Sequence, residues 1–422
     1  MKLSWLPVRS YKSYLEEDKI QNLRLYKYAA IDKSPISKYI LKHYWNFAIK
    51  LFPLWIAPNL ITLIGLFFMI ANIIIICIWS PSLDIDAPNW INFSFAAGLW
   101  LYSTFDNVDG RQARRTGTSS PLGELFDHGC DAVNCTYVAL LQCAALGLGH
   151  SPSSAILLFV TIVGFYLSTA EEYYTGVLYL GYVNGPTEGI ILSCIAFIWS
   201  GIYGVASWHV PLDEISCLSQ FSFLPSNTTF ADVFVMGMVV LFLVAHLPVC
   251  MYSMYQACKE KSLGVARVFS QVFSPIIFTG VLISYWISSP SSTIYSQQHF
   301  ILFSVFIGLL FGEMASDIIL AHLTKSKYPS FKKIYCSLIV FTLFTFLSDR
   351  FEKFEYNEYA LLLIFTGLSF IDYMIRAIQV INAFCAFLNI RCLVIPTHPV
   401  LPVTTTEADS LLVAQGSNYN SI

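Results

Sequence analysis

The chain has 422 residues, of which 56% are apolar and only 12% charged, with a mean hydropathy of +0.61. Soluble domains carry about 25% charged residues, so a soluble globular protein is excluded and a polytopic membrane protein indicated. The net charge of −3 gives no basis for a nucleic-acid partner, and the 11 cysteines lie scattered, with no C-x-x-C pair to frame a disulfide or cysteine-zinc site.

In the N-terminal segment 1–58 the first 50 residues contain no apolar run of the signal-peptide kind, so the first transmembrane helix is expected to serve as the insertion signal. Within this segment, "SKYILKHYWNFAIKLF" sets Tyr39, Ile40, Tyr44, Trp45 and Phe47 beside Lys38 and Lys42 at helical spacing. That pattern predicts an N-terminal amphipathic helix in the headgroup layer; a solvated cytosolic helix pair is the other reading.

A bilayer core of roughly 30 Å needs about 20 apolar residues per helix. Ten runs qualify, centred on 59–79, 90–115, 122–148, 153–175, 186–206, 230–256, 265–289, 299–322, 334–350 and 359–388. The predicted fold is therefore an all-α polytopic membrane protein of about ten transmembrane helices. Residues 59–206 hold the charged motif, 207–390 add further C-terminal membrane helices, and 391–422 lack periodicity and read as a disordered tail.

The basic residues set the orientation. Twenty of the 24 lysines and arginines fall on one side of a ten-helix arrangement with both termini cytosolic, while Arg350 and Lys353 fall on the other.

The stretch "FDNVDGRQARRTGTSSPLGELFDHGCDAVN", from Phe105 to Asn134, then comes to lie at the cytosolic face. Asp106 and Asp109 are three residues apart at one helix end, and Asp127 and Asp131 four apart near the start of the next. Each pair shares a helix face. Between them "TGTSSP" is a turn, with Ser120 as cap and Pro121 as first helical residue. The two helices are expected to be antiparallel neighbours that bring four carboxylates into one notch.

Such a cluster needs cations, because like charges raise one another's pKa. One reading pairs the acids with Arg111, Arg114 and Arg115. The other places one or two divalent ions there, and two such ions can clamp a phosphoryl group in in-line displacement. Gly110, Ala113 and Gly123 leave room for a bulky ligand, and Arg114 is a candidate phosphate clamp.

The motif D-x2-D-G-x2-A-R-x8-G-x3-D-x3-D runs from Asp106 through Asp109, Gly110, Ala113, Arg114, Gly123 and Asp127 to Asp131. It resembles the signature of the CDP-alcohol phosphotransferase family at every fixed position. "PLWIAPNLITLIG", "LYKYAAIDKS" and "NGPTEG" resemble further segments of its eukaryotic choline/ethanolamine branch.

The resemblance implies transfer of phosphocholine or phosphoethanolamine from a CDP-alcohol to diacylglycerol, with release of CMP. It implies Mg2+ or Mn2+, two ions, on Asp106, Asp109, Asp127 and Asp131. It places Asn59, Gly110, Ala113, Arg114 and Gly123 at the nucleotide, and offers His128 or Asp131 as the base. It also implies a homodimer in the endoplasmic reticulum or Golgi membrane. Glu188 in "NGPTEG" is expected either to orient His128 or to complement a helix N-terminus.

Glu171 and Glu172 either face a positive headgroup or form a solvated helix end. Glu313, Asp317, Asp372 and Arg376 read as structural ion pairs at membrane depth. Alternative functions are a sister enzyme using another alcohol, such as inositol, and a cation-coupled transporter.

Overall fold

A computed structural model describes residues 17–395 apart from 183, 215–224, 226 and 352. The described residues form ten long helices: α1 (Pro58–Trp79), α2 (Trp90–Thr116), α3 (Pro121–Leu146), α4 (Pro152–Thr175), α5 (Gly185–Tyr203), α6 (Phe230–Glu260), α7 (Val265–Ser288), α8 (Phe300–Leu323), α9 (Lys332–Arg350) and α10 (Glu358–Leu388). Eight of these are long and apolar enough to cross a membrane. The other two, α2 and α9, carry charge at their ends: the aspartates and arginines of the motif on α2, and Lys332, Lys333, Asp349 and Arg350 on α9.

Local sequence sets the two helix ends that matter most. Gly117 ends α2 with φ +67°, a conformation that glycine adopts without a Cβ penalty. Thr118 N then reaches back to Ala113 O at 2.9 Å. Ser120 begins α3, its Oγ accepting from Gly123 N at 3.2 Å, and Pro121 follows at the position where its missing N–H costs nothing. The four-residue loop leaves no path except an antiparallel return.

The main apolar core runs through α1, α2, α3, α4 and α8, with Trp286 of α7 and Phe341 of α9 stacked beside it at 4.2 Å between ring centroids. Helix α8 is buried along most of its length, whereas α6 and α10 turn most of theirs outward. Small residues permit the closest helix approaches. A Cβ on Gly308 of α8 would stand 2.2 Å from Thr136 Oγ1 and 2.8 Å from Thr136 Cβ on α3.

The fold departs from the sequence reading in four places. Ala30–Asp32 and Leu178–Leu180 pair as a short parallel ladder, so the chain is not wholly helical. The amphipathic segment is broken into a turn of π-helix (Ser37–Leu41) and a short helix (Lys42–Ala48). Tyr39, Ile40 and Phe47 are exposed, as an interfacial helix requires. Trp45 is buried, and Tyr44 accepts from Trp100 Nε1 at 3.1 Å, so half the segment packs on α2.

Arg376 pairs not with Asp372 but with Glu313 at 2.8 Å and with Asp317, while Asp372 pairs with Lys333. At four residues apart Asp372 and Arg376 share a helix face, but the acids of α8 meet the guanidinium across the helix interface. Of the tail, residues 391–395 are described, with Arg391 bridged to Val394; the remainder lies outside the described residues.

Gly308→Val is expected to lower stability by about 1–3 kcal/mol, the usual cost of overpacking, read as a lower unfolding midpoint in detergent. An unchanged midpoint would mean that α3 and α8 do not meet at this position.

Candidate active site

The ends of α1, α2 and α3 build the site. Carboxylate oxygens of Asp106, Asp127 and Asp131 lie within 4.8 Å of one another. Asp109, only 6% exposed, faces the same notch and accepts from Thr62 of α1. Asp131 accepts from the Tyr102 hydroxyl at 2.5 Å. Asp106 and Asp127 each keep one fully buried oxygen, Oδ1, with no hydrogen-bond partner. A buried acceptor left unmade costs about 1–3 kcal/mol, and more when charged, so these oxygens are aimed at something the protein does not supply.

The arginines do not supply it. Among the described residues no lysine or arginine pairs with the four aspartates. Arg111 lies over the Trp45 ring at 5.4 Å and donates to Asn46 at 3.2 Å. Arg115 donates to Gln112 at 2.6 Å, to Ile49 O at 2.8 Å and to Phe52 O, which ties the N-terminal segment to α2. Arg114 is exposed, has no partner among the described residues, and lies beside Gly110, whose Cβ position is 3.6 Å from Nη1. Reading the motif as an internal ion-pair network therefore fails. A hard cation with oxygen ligands fits the orphaned oxygens, and Asp106, Asp127, Asp131 and Asp109 would hold it.

His128 is buried one residue after Asp127, with Nδ1 3.7 Å from Glu172 Oε2 on α4. Glu188 is not brought to it. One of its oxygens accepts from Asn184 N at 3.0 Å and the other from Ser34, so it complements its own helix start and anchors the N-terminal segment. Glu171 and Glu172 are 2% and 6% exposed, which removes the reading of a solvated helix end. Gly123 lies beside Asn59, its Cβ position 3.8 Å from Asn59 Oδ1. The Asn59 amide donates to Cys392 O at 3.0 Å, so in this structure the segment after α10 covers it. Ala113 sits half-buried on α2.

Sequence reasoning missed Thr62, Tyr102, Glu124 and Tyr26. Three of them carried a signal in helical spacing: Thr62 is three residues after Asn59, Tyr102 four before Asp106, and Glu124 four before His128. Tyr26 carried none. It reaches Glu124 across 98 residues of chain, at 2.6 Å, and burial together with that carboxylate pushes its hydroxyl pKa well up.

Residues 55–208, which contain the four aspartates, Asn59, Arg114, His128, Glu172 and Glu188, match the family described as CDP-alcohol phosphatidyltransferase. A Saccharomyces cerevisiae protein named cholinephosphotransferase 1 is 36% identical over 75% of this chain and 80% of its own. The chain belongs to the CDP-alcohol phosphatidyltransferase family. The choline/ethanolaminephosphotransferase 1 of the same yeast is also 36% identical, over 75% of this chain and 81% of its own. An uncharacterized class-I family protein of Dictyostelium discoideum is 35% identical over 90% of this chain and 98% of its own. Family membership makes the protein a membrane-embedded transferase of phospholipid biosynthesis and rules out the transporter reading.

Two neighbouring arginines should therefore behave differently. Arg115→Ala, which removes three hydrogen bonds, is expected to lower stability by about 1.5–3 kcal/mol. Arg114→Ala is expected to stay within about 0.5 kcal/mol of the parent while weakening retention of a nucleotide diphosphate. Equal unfolding midpoints for the two variants would contradict this division.

Proposed function

We propose that the protein transfers phosphocholine or phosphoethanolamine from the CDP-alcohol to diacylglycerol, releasing CMP. The orphaned Asp106 and Asp127 oxygens, buried without a protein cation, carry this reading, and the exposed Arg114 on the same helix as Asp106 supports it. The names of the yeast relatives support the choline/ethanolamine headgroup over another alcohol. Magnesium or manganese, held by Asp106, Asp109, Asp127 and Asp131, would neutralise phosphate charge and stabilise the CMP leaving group.

The chain's own residues then have distinct tasks. Arg114 offers a guanidinium fork to the phosphates, and Gly110 and Gly123 keep the notch open to the nucleotide. The diacylglycerol hydroxyl attacks the β-phosphorus in line. A new P–O bond forms, the bond to CMP breaks, and the hydroxyl proton passes to a base. His128 is the better base, because one oxygen of Asp131 already accepts from Tyr102. The Glu172 carboxylate facing Nδ1 stabilises the imidazolium that forms. The excess of basic residues on one side supports a cytosol-facing site with ten crossings and both termini cytosolic, and the family resemblance supports an endoplasmic reticulum or Golgi membrane.

Asp106→Asn and Asp127→Asn are each expected to abolish CMP release, as is removal of divalent ions with EDTA. Full turnover in EDTA would eliminate the metal-dependent reading. His128→Ala should lose at least about 100-fold in turnover, the scale of general-base catalysis, while retaining CDP-choline binding; loss of binding instead would make His128 a ligand residue. A single cysteine placed at residue 118 should react with an impermeant maleimide from the cytosolic side of sealed vesicles, and lumenal labelling would reverse the orientation.

A further inference from the structure

Beside the aspartate notch lies a second cluster of donor atoms. Glu124 in the first turn of α3, Glu172 in the last turn of α4 and His322 in the last turn of α8 bring ligand atoms within 4.8 Å of one another. Both glutamates are more than nine-tenths buried. Glu124 accepts from Tyr26 at 2.6 Å. The Glu172 carboxylate accepts no hydrogen bond from any described residue, and its nearest cation-capable neighbour, His128 Nδ1, stands too far off at 3.7 Å to donate one. Buried to this degree, facing only the His128 imidazole at ion-pair distance and hydrogen-bonded to no described residue, this carboxylate points into the cluster, where a cation would offset the cost of its burial.

We propose that Glu124, Glu172 and His322 form a binding site for a borderline divalent ion of the zinc class, separate from the aspartate cluster. Zinc takes carboxylate oxygen and imidazole nitrogen at about 2.0–2.2 Å, so donors that share one ion must come within roughly twice that distance of each other. The imidazole selects the ion: magnesium prefers oxygen ligands throughout, whereas a mixed nitrogen and oxygen set suits zinc. The nearby Lys325 ammonium, which burial pushes toward neutrality and the two glutamates hold charged, offsets part of their charge but makes no hydrogen bond to either. The ligands come from three helix ends distant in sequence, so the ion would tie α3, α4 and α8 together. It would also fix the carboxylate that faces His128, so zinc should slow turnover. That consequence rests on the proposed base role; binding does not.

The full chain, purified in detergent, stripped with chelator and kept in saturating magnesium chloride, is titrated with zinc against a chromophoric chelator. One equivalent is expected to bind. His322→Ala and Glu124→Gln should each weaken it by about tenfold or more, while Asp127→Asn leaves it unchanged. Unchanged affinity in His322→Ala or Glu124→Gln, or loss in Asp127→Asn, overturns the assignment. X-ray absorption at the zinc edge of the unmutated protein needs no variant to fold: an imidazole nitrogen should appear in the shell, and an all-oxygen shell overturns the proposal.

Discussion

The structure is organised around four carboxylates held together without a protein cation. Two helix ends present Asp106, Asp109, Asp127 and Asp131 to one notch, and two buried oxygens there remain unpaired. Charges so arranged repel each other strongly in a low-dielectric site. Helix packing has to hold the arrangement. The loop between α2 and α3 is short and capped on both sides, α1 lies against both helices, and Thr62 and Tyr102 donate to two of the acids.

The positive side chains of the motif divide into two that are tied into the fold and one that is not. Arg115 and Arg111 are spent on backbone carbonyls, an amide and an indole ring of the N-terminal segment, which keeps them away from the aspartates. Arg114 points outward on the same helix with nothing bound to it. This separation leaves the acids without a protein cation and one guanidinium without a protein partner among the described residues, as the proposed function requires. A conventional ion-pair network would have quenched both.

The N-terminal segment is part of the site's frame. It is tied to the membrane helices around the notch at Tyr26–Glu124, at Ser34–Glu188, through the β ladder to the segment after α4, and by Asn22 to Thr324 O. Its apolar residues Ile20 and Leu23 pack with Leu122, Ile319 and Phe384. These contacts run beside the Glu124–Glu172–His322 cluster, so that cluster lies where three membrane helices and the N-terminal strap meet.

The sequence alone determined the helical fold, the helix boundaries to within a few residues and the aspartate notch. Each of these depends on local periodicity: 3.6-residue spacing, a capping serine before a proline, and a glycine at a helix end. Thr62, Tyr102 and Glu124 were within reach of the same spacing. What sequence could not determine were pairings across helices. Glu188 turned to Ser34 and Asn184, Glu172 met His128, and Arg376 chose Glu313 and Asp317 over Asp372. Residues three or four apart on one helix announce themselves, but partners on different segments, such as Arg376 with Asp317 59 residues apart and Ser34 with Glu188 154 apart, meet only when packing fixes helix rotation. Desolvation then selects, from many possible charge pairs, those that the packed helices bring within reach.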